Sequence, residues 1–242
     1  RGVCYPVHPC RGAVQGLNGY PSRASIRDPI DVALIATEGA RVEAAIAAGL
    51  EAGVLVYVVF SSGFAEVGPK GMQLQKRIVD LVTSRGGVVL GPNCLGVMNT
   101  MNGVMATFSS VLEGDAPKPG HMAMVSQSGA MAAYWLGGLM SFGLGCSKWI
   151  TTGNEAGIDA AAAVDYLADD PQTRVLGLYL EDIRNADDFR VALTRAARSR
   201  KAVIAIKSGR SRAGAAAANS HTGALAGDAA LFDAFLAQHG VL

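Results

Sequence analysis

Short apolar runs alternate with longer amphipathic or Ala-rich stretches from residue 31 to the end of the chain. The runs at 31–36, 54–60, 88–90, 122–125, 146–150, 175–180 and 202–206 predict strands. Between them apolar positions recur at helical spacing, as at Leu74, Ile78, Leu81 and Val82, and predict helices over 41–50, 71–84, 130–142, 158–167, 187–199 and 229–238. A strand that feeds a helix before the next strand builds βαβ units and a parallel sheet. Right-handed crossovers then give an α/β fold with an open doubly wound sheet. Residues 2–7 also read as a strand.

The segment 113–120 holds Gly114, Pro117, Pro119 and Gly120 and divides the chain into 1–113 and 114–242. Half of the 242 residues are hydrophobic and 17% are charged, which excludes a disordered chain and fits elements covered on both faces. A net charge of +1 without a basic run argues against a nucleic-acid partner. No apolar run of about 18 residues and no signal peptide is present, so the expectation is a cytoplasmic protein with no membrane span. Cys4, Cys10, Cys94 and Cys146 form neither a Cys-x-x-Cys pair nor a His/Cys cluster. No zinc or other metal site is expected, and free thiols in a reducing compartment are the simplest reading. The chain opens without Met and closes on an apolar pair, Val241-Leu242. The expectation is a piece of a longer protein, with the opening strand and helix of the first unit upstream.

In open parallel sheets ligands bind beyond the carboxyl ends of the strands. The segments there are Ser61-Ser62-Gly63, Gly91-Pro92-Asn93-Cys94, Ser126-Gln127-Ser128-Gly129, Gly153-Asn154-Glu155, Glu181-Asp182 and Lys207-Ser208-Gly209-Arg210. Ser126–Gly129 heads a helix, whose free N–H groups and dipole suit a phosphate, while Ser128 equally suits an N-cap. Ser220-His221-Thr222-Gly223 stands before the last helix in the same way. His221 is set among small residues up to Gly227, so it is either a reactive imidazole or a histidine at a helix entry. Glu181 ends an apolar strand, where a carboxylate needs a partner. Accepting from one imidazole nitrogen would fix the tautomer and leave the other nucleophilic; the alternative is a solvated pair with Asp182. Lys207 and Arg210 bind phosphate or are solvated. Cys94 has no nearby histidine to make it a nucleophile.

Several segments together, in this order, resemble NDP-forming acyl-CoA synthetases of the acetate–CoA ligase (ADP-forming) type, relatives of the succinyl-CoA synthetase alpha subunit. They are residues 91–99 (Gly-Pro-Asn-Cys-Leu-Gly-Val-Met-Asn), 125–130 (Val-Ser-Gln-Ser-Gly-Ala), 153–155, 207–211 and 220–227. Ser62-Gly63-Phe64-Ala65-Glu66 and Tyr20-Pro21-Ser22 also fit. The resemblance implies a Rossmann-like CoA-binding domain over 1–113, truncated at its N-terminus, and a flavodoxin-like ligase domain over 114–242. It implies that His221 is phosphorylated and that Glu181 holds it. Ser126, Gln127, Ser128, Gly129, Thr222 and Gly223 would bind the phosphate. Pro6, Val7, Pro9, Ser62, Gly63, Asn93 and Cys94 would line the CoA site.

Tyr5-Pro6-Val7-His8-Pro9 departs from the family's Pro-Val-Asn-Pro by placing His8 where Asn is usual. ATP or ADP with Mg would belong to an ATP-grasp domain or subunit outside this chain, in an oligomer. The implied activity is that of an acid–thiol ligase: a small carboxylic acid, CoA and ATP give acyl-CoA, ADP and phosphate. The alternative is a non-catalytic CoA-sensing regulatory domain, as in chains fused to a lysine acetyltransferase; retention of His221 favours the ligase. A nicotinamide dehydrogenase is disfavoured, since no Gly-x-Gly-x-x-Gly followed by an acidic residue is present.

Overall fold

The seven expected strands all form, three in one sheet and four in a second; two further strands join the second sheet, and two more pair by themselves near the start of the chain. The computed structural model describes residues 2–209 and 229–242. Near the start, β1 (Ala13–Val14) and β2 (Leu17–Asn18) make a small hairpin turned by Gln15 and Gly16, with φ of 51° and 78°. Positive φ at both turn positions matches the twist of the paired strands. No strand forms over 2–7, against expectation; Val7 makes a single bridge to Tyr20. Pro6 and Pro9 lack the N–H groups that a longer ladder requires.

The first sheet is parallel, in the order β3 (Val32–Ile35), β4 (Val56–Val59), β5 (Val88–Leu90). Helices α1 (Gly39–Glu51) and α2 (Pro69–Thr83) connect the strands. On one face Ile35, Tyr57, Val59 and Val89 pack with Val42, Ile46, Ile78 and Val82. The buried Tyr57 hydroxyl donates to Val54 O (2.9 Å) and Ile46 O (3.2 Å), so its one polar atom is satisfied. On the other face Val58 and Leu90 are buried in the core of the second sheet, while Val32, Leu34, Val56 and Val88 remain exposed.

The second sheet has six strands: β6 (Gly96–Asn99), β7 (Val104–Thr107), β8 (Pro119–Ser126), β9 (Cys146–Thr151), β10 (Val175–Leu180) and β11 (Ala202–Lys207), in the order β11-β10-β8-β9-β6-β7. Strands β8 to β11 run parallel. Strand β6 is antiparallel to both β9 and β7. Helix α3 (Gly129–Ser141) covers one face, where Trp149 packs with Met98, Met124 and Leu136. Gly177 leaves room for the Trp135 ring; a Cβ there would stand 2.9 Å from it. Helices α4 (Ala160–Ala168), α5 (Ala186–Arg198) and α6 (Ala229–Gln238) cover the other face, with Val164, Phe189 and Leu236 against Leu176, Leu178 and Leu180. Ser128, Asp159 and Asn185 cap α3, α4 and α5 by accepting from first-turn N–H groups.

The β6–β7 hairpin lies before the expected division at residue 113, yet it pairs into the second sheet. Its turn contains Asn102-Gly103, with Gly103 at φ 78°. Among the described residues no helix is long and apolar enough to cross a membrane.

Candidate active site

The carboxyl ends of β5, β8, β9 and β10 converge, because parallel strands of one hand deliver their following loops to one edge. In the turn after β8, Ser126 is buried; its hydroxyl donates to Ser128 O (2.7 Å) and accepts from Ser128 N–H (3.2 Å). Ser128 Oγ caps α3 through Met131 N–H (3.4 Å). A Cβ at Gly129 would lie 2.6 Å from Leu95 Cγ, so glycine lets the helix start close to the segment after Cys94. Gln127 reaches sideways instead. Its Oε1 accepts from the N–H groups of Glu181 and Asp182, and its Nε2 donates to Asp182 O (2.8 Å).

Glu181 therefore stands at the end of β10 on a corner whose peptides are held from a neighbouring strand. Lys207, at the end of β11, holds the same corner from the other side. Its Nζ donates to Glu181 O (2.7 Å) and Ser208 O (2.6 Å) and sits 5.2 Å from the centre of the Phe232 ring. It is buried rather than solvated. Burial pushes its ammonium pKa down, against the charges of Asp182 and Glu181.

The loop after β9 supplies two residues whose roles only the structure reveals. Asn154 Nδ2 donates to Glu66 Oε2 (2.5 Å) and Gln75 Oε1 (3.0 Å), and its Oδ1 accepts from Asn93 Nδ2 (3.2 Å). Burial raises the Glu66 carboxyl, but the hydrogen bonds from Asn154 and the Gly63 N–H outweigh it and hold the group below the usual range. Glu155 is buried, with φ 53°; its Oε1 accepts from Thr152 Oγ1 (2.9 Å) and Ala160 N–H (2.9 Å), and its Oε2 faces Arg184 Nε at 3.6 Å. Their signal in the sequence was only a polar triplet after a strand.

A cleft of about 240 Å³ opens where these groups meet. One wall is Ala65, Met72 and Gln75 from the first half of the chain; the other is Gln127, Glu155, Glu181 and Arg184. His221, Thr222 and Gly223 lie outside the described residues. Of the residues expected at CoA, Ser62 is exposed and Gly63 has φ 99°, both after β4. Asn93, at φ 57°, donates its N–H to Ser61 O (2.9 Å) and so lies at the same edge. Cys94 is buried, and desolvation pushes its thiol up to about 11, which removes it as a nucleophile. Pro6, Val7 and Pro9 lie on the opening segment, where His8 N–H donates to Tyr20 O (2.8 Å) and His8 Nδ1 accepts from Cys10 N–H (3.1 Å). The ring of His8 thus serves as a local turn acceptor, a task an Asn side chain also performs.

Burial pushes Glu155 up to about 7, against the hydrogen bonds from Gln127 and Thr152 and the charge of Arg184. A carboxyl whose folded pKa lies above its unfolded value contributes its stability below that unfolded value and loses it as pH rises through the folded one. Glu155→Gln is therefore expected to remove a decline in stability of about 3 kcal/mol between roughly pH 4.5 and 7. Denaturant unfolding at stepped pH checks this; a slope identical to that of the parent chain would contradict it.

A family model of a CoA-binding domain matches residues 1–100, and one of the succinyl-CoA ligase-like flavodoxin domain matches residues 119–242. The alpha subunit of acetate–CoA ligase (ADP-forming) II of Pyrococcus furiosus is 36% identical over 241 residues, covering 100% of this chain and 51% of its own length. The 4-hydroxybutyrate–CoA ligase (ADP-forming) of Nitrosopumilus maritimus is 34% identical over 245 residues, covering 100% of this chain and 34% of its own. The solved structure of dinucleotide-forming acetyl-coenzyme A synthetase 1 from Ca. Korarchaeum cryptofilum, in complex with phosphate and ADP, matches with a TM-score of 0.89 at 35% identity. That match covers 98% of this chain and 50% of the other. The chain thus spans about a third to a half of the length of these relatives.

Proposed function

Since this chain belongs to the NDP-forming acyl-CoA synthetase family, we propose that it is the CoA-binding and phosphohistidine-bearing part of an ADP-forming acyl-CoA ligase. The neutral imidazole of His221 attacks the γ-phosphorus of ATP and ADP leaves. The oxygen of a small carboxylic acid then attacks that phosphorus, the imidazole leaves, and an acyl phosphate forms. The CoA sulfur attacks the acyl carbonyl, and phosphate leaves as the thioester forms. Glu181 accepts from one imidazole nitrogen, fixing the tautomer and offsetting the positive charge the ring gains on phosphorylation. The N-terminus of α3, with Ser126, Ser128 and Gly129, faces the transferred phosphoryl group together with Thr222 and Gly223. CoA lies along Pro6, Val7, Pro9, Ser62, Gly63, Asn93 and Cys94.

ATP with Mg sits on an ATP-grasp domain or subunit with which the chain assembles in an oligomer in the cytoplasm. The observation that carries this proposal is the placement of Glu181: it ends β10 on a firmly held corner and lines a cleft that residues before and after the β6–β7 hairpin build together.

In the complete enzyme, His221→Ala is expected to abolish acid-labile labelling from radiolabelled ATP and to lower kcat by at least roughly 10³-fold. Retained label on the variant would sink the assignment. CoA binding by the parent enzyme with no labelling at all would favour the regulatory sensor instead.

A further inference from the structure

We propose that Gln127 is a positioning residue that holds Glu181 in place for His221, rather than a ligand of the phosphate; this rests on the reading of Glu181 given above. A primary amide has one oxygen with two lone pairs and two N–H donors. In Gln127 the oxygen is used by the N–H groups of Glu181 and Asp182 (3.0 Å to the latter), and one N–H is used by Asp182 O (2.8 Å). Glu155, whose charged form Gln127 favours, lies beside the same side chain. The amide is thus engaged through both its oxygen and its nitrogen with the corner after β10.

The backbone continues the same link: Gln127 N–H donates to Tyr179 O (3.1 Å), extending the β8–β10 ladder by one step. Gln127 therefore acts as an extra rung between two strand ends, and it fixes the direction in which the Glu181 side chain leaves the sheet.

The chemistry of the contact dictates the residue. A carboxylate at 127 keeps the two acceptor contacts but turns an oxygen toward Asp182 O and a second charge toward Glu155. A protonated carboxyl restores one donor. Asparagine is one methylene too short to span the gap, and alanine removes every contact. The other charged groups around this amide are Glu181, Asp182 and Arg184 on the loop after β10, Asp159 near Glu155, and Lys207 at the end of β11.

The test uses the complete enzyme with Gln127→Glu, Gln127→Ala and Glu181→Gln, read by phosphohistidine formation from radiolabelled ATP, by kcat and KM, and by thermal melting. Gln127→Glu is expected to lower kcat and labelling roughly 10²-fold at pH 8, the cost of displacing a working group by about 1 Å. The KM for CoA should stay unchanged. Activity relative to the parent should recover as pH falls toward 6, when the introduced carboxyl is protonated. Gln127→Ala should lose activity at every pH, without that recovery. A Gln127→Glu profile parallel to the parent's, or labelling at parental rate in both Gln127 variants while Glu181→Gln is impaired, would overturn the proposal. Normal labelling in Glu181→Gln would instead sink the reading of Glu181, and the positioning role with it. Melting separates both results from simple misfolding, and the acid recovery is a signature that misfolding does not produce.

Discussion

Glu181→Gln in the complete enzyme is expected to reduce kcat by roughly 10²–10⁴-fold, up to the cost of losing the carboxylate that orients a reacting imidazole in a catalytic triad. Its KM for CoA should remain near that of the parent. The substitution keeps the shape of the side chain and removes its charge. The backbone around it does not depend on that charge: Gln127 holds the N–H groups of residues 181 and 182, and Lys207 holds the carbonyl of residue 181. With Glu181 paired to His221 as proposed, the loss should fall on the phosphoryl-transfer steps, where the imidazole presents one neutral nitrogen and then carries extra positive charge. Single-turnover labelling by radiolabelled ATP, and the reverse experiment starting from acyl-CoA and phosphate, would both slow. A Glu181→Gln enzyme that slowed only through a raised KM for CoA would assign this carboxylate to thioester binding instead.

Asp170→Ala should destabilise the fold by roughly 3–5 kcal/mol, because it strands a buried ammonium. Lys148 lies in the middle of β9, a strand whose six residues are all buried. Its Nζ is 2.9 Å from Asp170 Oδ2 and 3.2 Å from Gln172 Oε1, and both charged side chains are under a tenth exposed. Asp170 also accepts from Thr173 Oγ1 (2.6 Å), while the ammonium of Lys201 is bound to the backbone carbonyls of Asp170 and Thr173. Removing the carboxylate leaves Lys148 with one amide oxygen in a strand centre. The expected result is a drop in Tm of roughly 10 °C for a chain of this size. Adding Lys148→Met to the Asp170→Ala background should recover most of the loss, since the methionine fills the space without a charge. A melting curve for Asp170→Ala that overlays the parent would show that water reaches Lys148 in the folded state.

The regular part of the fold was legible in the sequence because β-branched and aliphatic runs such as Val175–Leu180 and Val88–Leu90 are short, continuous and bounded by polar turns. Helix α2 declared itself through Leu74, Ile78, Leu81 and Val82. The pairing of the strands was less legible. Residues 96–99 enter the sequence reading only as the end of a motif and 100–107 not at all, although Asn102-Gly103 is a strong hairpin signal between two apolar segments. Residues 2–7 look like a strand by composition, but Pro6 within them and Pro9 just after them deny a ladder. Lys148 did not disturb the reading of β9, since a single charge in an apolar run does not reveal the distant Asp170 that neutralises it.

In the site, residue type and strand-end position were enough to single out Glu181 as a candidate. The tasks of Gln127, Lys207 and Asn154 were not readable, because each depends on a partner more than 20 residues away that only the sheet order brings close. Gln127 was expected at a phosphate, as its turn suggests. Its amide is engaged with a neighbouring strand end, and that orientation is a property of the tertiary fold.

The β6–β7 hairpin gives the two halves a dovetail joint. Twelve residues that follow the first sheet are inserted as the outer edge of the second, beyond β9. The Pro- and Gly-containing stretch before β8 looks like a natural seam, yet a cut there would strip two strands from the sheet that needs them. A chimaera that exchanges the CoA-binding half for another must therefore be spliced ahead of Gly96, and must carry matching partners for Asn154 at positions 66, 75 and 93. The halves are exchangeable only as a fitted pair, because the wall of the cleft before the hairpin and the wall after it are cut to each other.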